Sequence, residues 1–318
     1  MHAGRPALAG TSFRRRQEAG LHSSTRTLHG LTLESEWTLP DWVPHEEAQS
    51  CQVELRLGPV TPGSNFLVQA DSKKFQLDVP GICRFRAEGG RTLWLDPHPE
   101  ASALDVNLFL LHSAWPALML QRGYLPVMGC CLRLEGKTVL LAGHTSAGKS
   151  TLAAWLYKAG GHVLGDDIVY LSPRLHQVVV RPGLPWLTLW LDVLTELEIP
   201  LSDCLPLRAP RADASHRHRW PLDPPASDFL DLDEIIFLDS HNLPQIQREE
   251  LSADQSAELL FNHCVHVIFA GEMNKRSALG LLASAAARQC RCWDLRRPNQ
   301  PLSKEALEEL AGAARDRS

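Results

Sequence analysis

The 318-residue chain predicts an α/β fold with a β-rich segment in front of it, on three observations. A glycine-rich stretch, Gly143-His-Thr-Ser-Ala-Gly148-Lys149-Ser150-Thr151, lies between the apolar run Val139 to Ala142 and apolar residues at helical spacing, Leu152, Trp155, Leu156 and Ala159. Strand, loop and helix therefore follow one another, the setting a phosphate-cradling loop requires. Short apolar runs at Gln177 to Val180, Ile235 to Leu238 and Val265 to Phe269 predict further strands. Upstream, Gln52 to Leu57, Lys74 to Val79 and Arg91 to Leu95 alternate between turn signals such as Pro62-Gly63 and Gly89-Gly90, as an antiparallel sheet does.

Taken in order, residues 1–45 mix Arg, Gly, Ser, Thr and Pro without sustained periodicity and predict a poorly ordered segment with room for one short strand. Residues 46–104 form the β-rich accessory domain and 105–318 the phosphate-loop (P-loop) domain. Leu104 to Leu120 is apolar but broken by Asp105, Asn107, His112 and Pro116, which predicts a buried helical hairpin or kinked helix rather than a membrane span. Gly160-Gly161 closes the helix after the loop, and His162 to Gly165 leads as a strand into Asp166-Asp167. Leu302 to Ala314 closes the chain as an amphipathic helix.

Bulk composition bounds the partners. Hydrophobic residues make up 44% and charged residues 22%, ordinary values for a globular protein. With 37 acidic against 32 basic residues the net charge is -5, so no strong field favours nucleic acid or an anionic membrane, and neither partner is expected. Arg14-Arg15-Arg16 is not followed by an apolar run, so no secretory signal is expected and a cytoplasmic location is. The eight cysteines contain no C-x-x-C pair and read as core thiols. Nothing in the sequence sets the oligomeric state, and a homo-oligomer is compatible with it.

The chemistry is concentrated at the loop. Successive backbone N–H groups from Gly143 through Ser146, Ala147 and Gly148 into a helix N-terminus suit the phosphates of ATP. Lys149 adds a full charge, the Ser150 hydroxyl is placed for Mg²⁺, and Gly143, Ala147 and Gly148 keep the loop slim. Asp166 and Asp167 follow an apolar strand start and precede Ile168 to Leu171, so at least one carboxylate is half-buried and needs a metal or a substrate hydroxyl as partner. One is expected to position or deprotonate an attacking hydroxyl while the other assists the metal. Asp239, ending the run Ile235 to Leu238, competes for the metal; equally, it caps the turn at Ser240 to Pro244.

Leu140 to Ser150, the helix ending Lys158-Ala-Gly-Gly-His162, and Leu164-Gly-Asp-Asp-Ile168 together resemble the catalytic domain of HPr kinase/phosphorylase and the wider HPr-kinase-like proteins found with peptide-modification clusters. Weaker likeness at Arg181 to Trp190 and Cys292 to Pro298 extends the resemblance over roughly residues 105 to 315. It implies an HPr-kinase-like P-loop core that phosphorylates a serine of a small protein or peptide. By the same likeness, Lys149, Ser150 and Thr151 bind ATP and Mg²⁺, Asp166 is the base and Asp167 supports the metal. The chain departs from the family at Val127-Met128-Gly129-Cys130, where the family has a histidine that Met128 does not replace chemically. The family's Glu-Arg-Gly signature is also absent between Gln177 and Leu230, so a phosphorylase reaction is not expected.

Among other residues, Arg217 and Arg219 in Ser215 to Trp220 are candidates for holding phosphate or an acidic peptide, or else belong to an exposed loop. His216 and His218 lack further ligands for a metal. His263, Cys264 and His266 read as residues of a core strand, and Trp186 and Trp190 as core or pocket wall. The expected activity is an ATP- and Mg²⁺-dependent kinase. The alternatives are a nucleotide-binding regulatory or peptide-binding module, and a transporter ATPase, weakened by the lack of a Leu-Ser-Gly-Gly-Gln segment.

Overall fold

A computed structural model describes residues 24–39, 51–63, 68–209, 217–223 and 229–316. The expectation for residues 1–45 is therefore tested only over 24–39, and Ser215 and His216 lie outside the described residues.

The architecture is mixed α/β. The first sheet holds β1 (Ser24–Leu28), β2 (Leu31–Ser35), β3 (Val53–Leu57), β4 (Val68–Ala70), β5 (Lys74–Val79), β6 (Cys83–Glu88) and β7 (Thr92–Pro97), in the order β1-β2-β3-β7-β6-β5-β4. Two of these strands correct the expectation of a poorly ordered start. They form a hairpin whose turn, His29-Gly30, takes φ of 50° and 65°, the double positive φ that a tight hairpin turn requires. The turn interrupts the alternation of Leu28, Leu31 and Leu33, all buried, which is why no period showed. The sheet is also mixed rather than antiparallel throughout, because β3 lies parallel to both β2 and β7.

One continuous helix crosses beneath this sheet: α1 (Ala103–Phe109), a π-helical turn (Leu110–Ala114) and α2 (Trp115–Gln121). Pro116 has no N–H to offer the carbonyl of His112 four residues earlier, and the ladder shifts to a wider spacing in which Trp115 N–H donates to the Leu110 carbonyl. By length and composition Ala103–Gln121 is apolar enough to cross a membrane, with a mean hydropathy of 1.3, but 67% of that stretch is buried inside the fold. Its apolar residues Val106, Trp115 and Leu118 join Leu33, Phe75 and Phe85 of the first sheet to Leu125, Val127 and Leu171 of the second in one continuous core. The hairpin turn is tied to the same helix by Trp115 Nε1–H, which donates to His29 Nδ1 at 3.1 Å, and to the strand Gln177–Arg181 by Arg181, which donates to the His29 carbonyl at 3.0 Å. Burial, then the nearby guanidinium, holds His29 down at about 3 and keeps the ring neutral.

The rest of the chain runs β8 (Leu125–Leu134), β9 (Lys137–Ala142), α3 (Lys149–Lys158), β10 (His162–Gly165), β11 (Ile168–Arg174), β12 (Gln177–Arg181), β13 (Trp186–Trp190), α4 (Leu191–Glu196), β14 (Leu205–Pro206), β15 (Arg217–Pro221), β16 (Leu230–Asp231), β17 (Glu234–His241), β18 (Gln247–Glu250), α5 (Ala253–Asn262), α6 (Arg276–Gln289), β19 (Arg291–Pro298) and α7 (Lys304–Arg315). The second sheet is ordered β16-β12-β11-β8-β9-β17-β19-β18, with β10 also on β8, and β13-β15-β14 form a small third sheet. Among the described residues of the second sheet, only β9-β17-β19 are parallel. α3 buries Leu152, Ala153, Ala154 and Leu156 in a second cluster with Leu189 of β13, Leu238 of β17 and Leu307 and Leu310 of α7.

The strand expected at Val265 to Phe269 does not form. Val265 N–H reaches the Pro126 carbonyl at 2.7 Å, but His266 then takes φ of 61° and the chain turns into a short 3₁₀ helix at Val267–Phe269. His263 and Cys264 are nonetheless buried, at 6% and 3% exposed. All eight cysteines are free, and Cys83, Cys130, Cys131, Cys264 and Cys292 are buried.

Candidate functional site

The glycine-rich loop leaves the end of β9 and enters α3. Gly143 has φ of 153°, and a Cβ there would stand 2.2 Å from the Leu238 carbonyl oxygen of the neighbouring strand, so no larger residue fits. Gly148, the residue before the helix, has φ of 101° and is hemmed in by Leu302. No side chain caps α3, which leaves its first N–H groups free for an anion. The loop is held from behind by Arg297 of β19, only 7% exposed. Its Nε donates to the Ala147 carbonyl at 2.8 Å, and its other nitrogens donate to the carbonyls of Ser146, Pro298 and Gln300. Lys149 folds back, Nζ donating to the His144 carbonyl at 2.7 Å, and burial lowers its pKa against the opposing charges of Asp166 and Asp167.

The two aspartates sit in the turn between β10 and β11, both of which pair with β8, with Asp167 at φ of 65°. They differ sharply in surroundings. Asp166 accepts from the Ser150 hydroxyl at 2.8 Å and from the Thr188 N–H at 2.8 Å. Burial, then the adjacent Asp167 charge, pushes its carboxyl up to about 7. Asp167 accepts from the Thr188 hydroxyl at 2.7 Å, meets His112 Nε2 at 3.1 Å and receives Arg217 at 3.3 Å. Burial alone would raise Asp167, but His112, Arg217 and the Thr188 hydroxyl outweigh it and hold the carboxyl well below the usual range. The pair thus separates into one carboxyl that keeps its proton near neutrality and one held ionised.

Between these elements lies a cavity of about 640 Å³, lined by Lys149, Ser150 and Thr151 on the loop side and by His112, Asp167 and Trp190 across from it. Gly143, Ser146, Ala147, Gly148, Lys149, Ser150, Thr151, Asp166 and Asp167 are therefore brought together in space. Arg217 joins them through Asp167. Arg219 does not: it is 1% exposed, its guanidinium lies 4.6 Å over the Trp186 ring, and strand pairing sets it opposite Thr188. The expectation that Arg219 faces a substrate is corrected accordingly. Arg217 and Arg219 lie in β15 rather than an exposed loop. The Ser150 hydroxyl, expected beside Asp167 at a metal, is bonded to Asp166 instead. Asp239 lies within β17, where its carboxylate accepts from Ser240 N–H at 2.8 Å and pairs with His241 at 3.3 Å, so it does not cap a turn at Ser240 to Pro244.

Three residues of the site were not found in the sequence. His112, Thr188 and Arg297 come from the π-turn, β13 and β19, and only tertiary structure brings them to the loop. The one signal available for His112 was a polar ring on an apolar helix, with Pro116 four residues later.

Among the described residues no group of three or more His, Cys, Asp or Glu side chains could cage a metal. A half-buried carboxyl raised to about 7 beside a hydroxyl at 2.8 Å nevertheless fits a hard cation that takes one carboxylate and completes its shell from water and phosphate, as Mg²⁺ does.

No family model matches the chain, and no curated protein matches it. Among solved structures it is distantly similar to the Hpr(Ser) kinase/phosphatase from Coxiella burnetii, at 14% identity over 60% of this chain and 88% of that one, with a TM-score of 0.28.

Proposed function

We propose that this chain is a kinase that moves the γ-phosphate of ATP to a hydroxyl, in the first place a serine of a small protein or peptide. The observation that carries the reading is the meeting, in one cavity, of the Lys149-Ser150 end of the glycine-rich loop with Asp167, while the adjacent Asp166, of opposite protonation, takes the Ser150 hydroxyl behind it. The loop N–H groups, Thr151 and Lys149 hold the phosphates. Ser150 and Asp166 would hold Mg²⁺, which when bound neutralises charge on the phosphates. Asp167 faces the cavity and orients the acceptor hydroxyl. Little proton abstraction precedes bond breaking in a loose transition state, so a firmly ionised carboxylate suffices as an orienting acceptor. This assigns the two aspartates in the reverse of the order that the resemblance implies. Arg217, on the cavity wall, supplies positive charge beside the reacting phosphate.

A second reading, nucleotide binding without transfer, draws on one observation: three donors already occupy Asp167. Calorimetric titration with MgATP separates the readings. Lys149→Ala is expected to weaken binding by at least tenfold, whereas Asp167→Asn keeps binding within a few-fold and loses phosphate transfer. Unchanged binding by Lys149→Ala would remove the nucleotide site from the loop, and transfer by Asp167→Asn equal to wild type would leave that residue no part in the reaction.

A further inference from the structure

His112 reaches the aspartate pair from the π-turn of the helix beneath the first sheet. Its Nδ1 lies 2.9 Å from the Leu108 carbonyl and its Nε2 faces a carboxylate; both partners only accept, so the ring bonds both when each nitrogen carries a hydrogen. Its Nε2 lies 3.1 Å from Asp167 Oδ2, and that same oxygen takes the Thr188 hydroxyl. The ring is thus fixed at both ends and aims at one oxygen of the cavity-facing carboxylate.

The turn that presents it is itself fixed. Leu110 and Ala114 are buried at 1% and 0% exposed, and β5 and β6 pack directly on the turn. His266 Nε2 meets the Ser113 carbonyl at 2.9 Å, and the His266 ring lies 5.3 Å from Phe75 of β5. The wider turn thus carries both the tether, at the Ser113 carbonyl, and the ring that meets Asp167.

We propose that His112 is a positioning residue for phosphate transfer, orienting Asp167 from a π-turn that the first sheet and His266 hold in place. The proposal rests on the kinase reading. It gives the N-terminal sheet a mechanical part in the reaction although none of its residues lines the cavity.

The test uses the full chain and release of phosphate from MgATP with water as the acceptor. His112→Ala is expected to lower kcat by ten- to a hundredfold and leave KM for MgATP within twofold, since a misplaced reacting group costs on that order without touching nucleotide binding. His112→Gln, whose amide can still donate to Asp167, is expected to recover at least a third of the lost kcat on a logarithmic scale. His266→Ala is expected to lower kcat by three- to tenfold with the same flat KM. A purely structural role would lower stability in all three without that split and without rescue by Gln. A kcat within twofold of wild type for His112→Ala overturns the proposal.

A second measurement is independent of turnover: a thermal double-mutant cycle between His112→Ala and Asp167→Asn in the free protein. Non-additive shifts are expected for groups in contact, and additive shifts overturn the proposal. If the wild type binds MgATP but transfers phosphate to nothing while the cycle is non-additive, the kinase reading fails and the positioning role fails with it. If the wild type turns over and the cycle is additive, only the His112 assignment fails.

Discussion

Replacing Asp166 by Asn tests the electrostatics of the site without a ligand. Asp166 is raised from 3.8 to about 7 by burial and by the Asp167 charge. The folded state therefore binds more protons than the unfolded state between those values. This contribution to stability is complete below 3.8 and is lost as pH rises through about 7. A shift of that size corresponds to about 4 kcal/mol in a fully closed site, and the half-buried side chain halves it to about 2 kcal/mol. Asn mimics the protonated carboxyl, accepting from Thr188 N–H and donating to the Ser150 oxygen. The metal-free variant is thus expected to melt roughly 4–8 °C above wild type at pH 8.5, with the difference falling to about half of that at pH 5.5 and vanishing only toward pH 3.8. Asp167, held low, loses its stabilising effect only in acid and does not enter this window. Scanning fluorimetry in chelator across that range reads the result. Melting curves of the two proteins that keep a constant offset at every pH, or a variant less stable at pH 8.5, would refute the reasoning.

Arg297→Ala removes the donors that brace the Ala147, Ser146 and Gln300 carbonyls and is expected to cost roughly 2–3 kcal/mol in urea unfolding. It should also weaken MgATP binding about tenfold, and binding at wild-type strength would show that the loop keeps its shape without the brace. Gly143→Ala sets a Cβ 2.2 Å from the Leu238 carbonyl and forces the backbone of β9 off β17; a loss of about 2–4 kcal/mol is expected from the urea midpoint. A midpoint equal to wild type would contradict the geometry around the loop.

What could be read in the sequence was what is local. The loop from Gly143 to Thr151 is contiguous, its residues each needed for shape or charge, and its strand and helix flank it directly. The alternating runs at Val53–Leu57, Lys74–Val79 and Thr92–Pro97 became strands because each buries one face on the shared core. The hairpin at Ser24–Ser35 escaped because its two strands are short and a turn falls inside the apolar series. Val265 to Phe269 misled because an apolar run of that length serves a strand or a buried turn equally well, and the left-handed His266 decided between them.

The site's electrostatics were not local. His112 stands far from Asp167 in sequence, and no spacing rule connects a helix carbonyl, an imidazole and a carboxylate across two layers. Arg217 and Arg219 look equivalent in sequence, alternating on the same strand face. Pairing places the first beside Asp167 and near Trp190, and the second farther along the strand, buried on Trp186. Which aspartate stands beside Ser150 likewise depends on the turn taken at Asp167, with its positive φ, and not on residue order.

The central claim is transfer of phosphate from ATP to a hydroxyl in the cavity lined by Lys149 and Asp167, with Asp166 on the Ser150 hydroxyl beside it. The direct measurement is incubation of wild type, Lys149→Ala and Asp167→Asn with γ-labelled ATP, Mg²⁺ and candidate small proteins or peptides, followed by mass mapping of the label. The account predicts label on a serine with wild type and none above background with either variant. Label transferred equally by all three proteins, or ATP bound by wild type with no labelled hydroxyl on any acceptor, would contradict it.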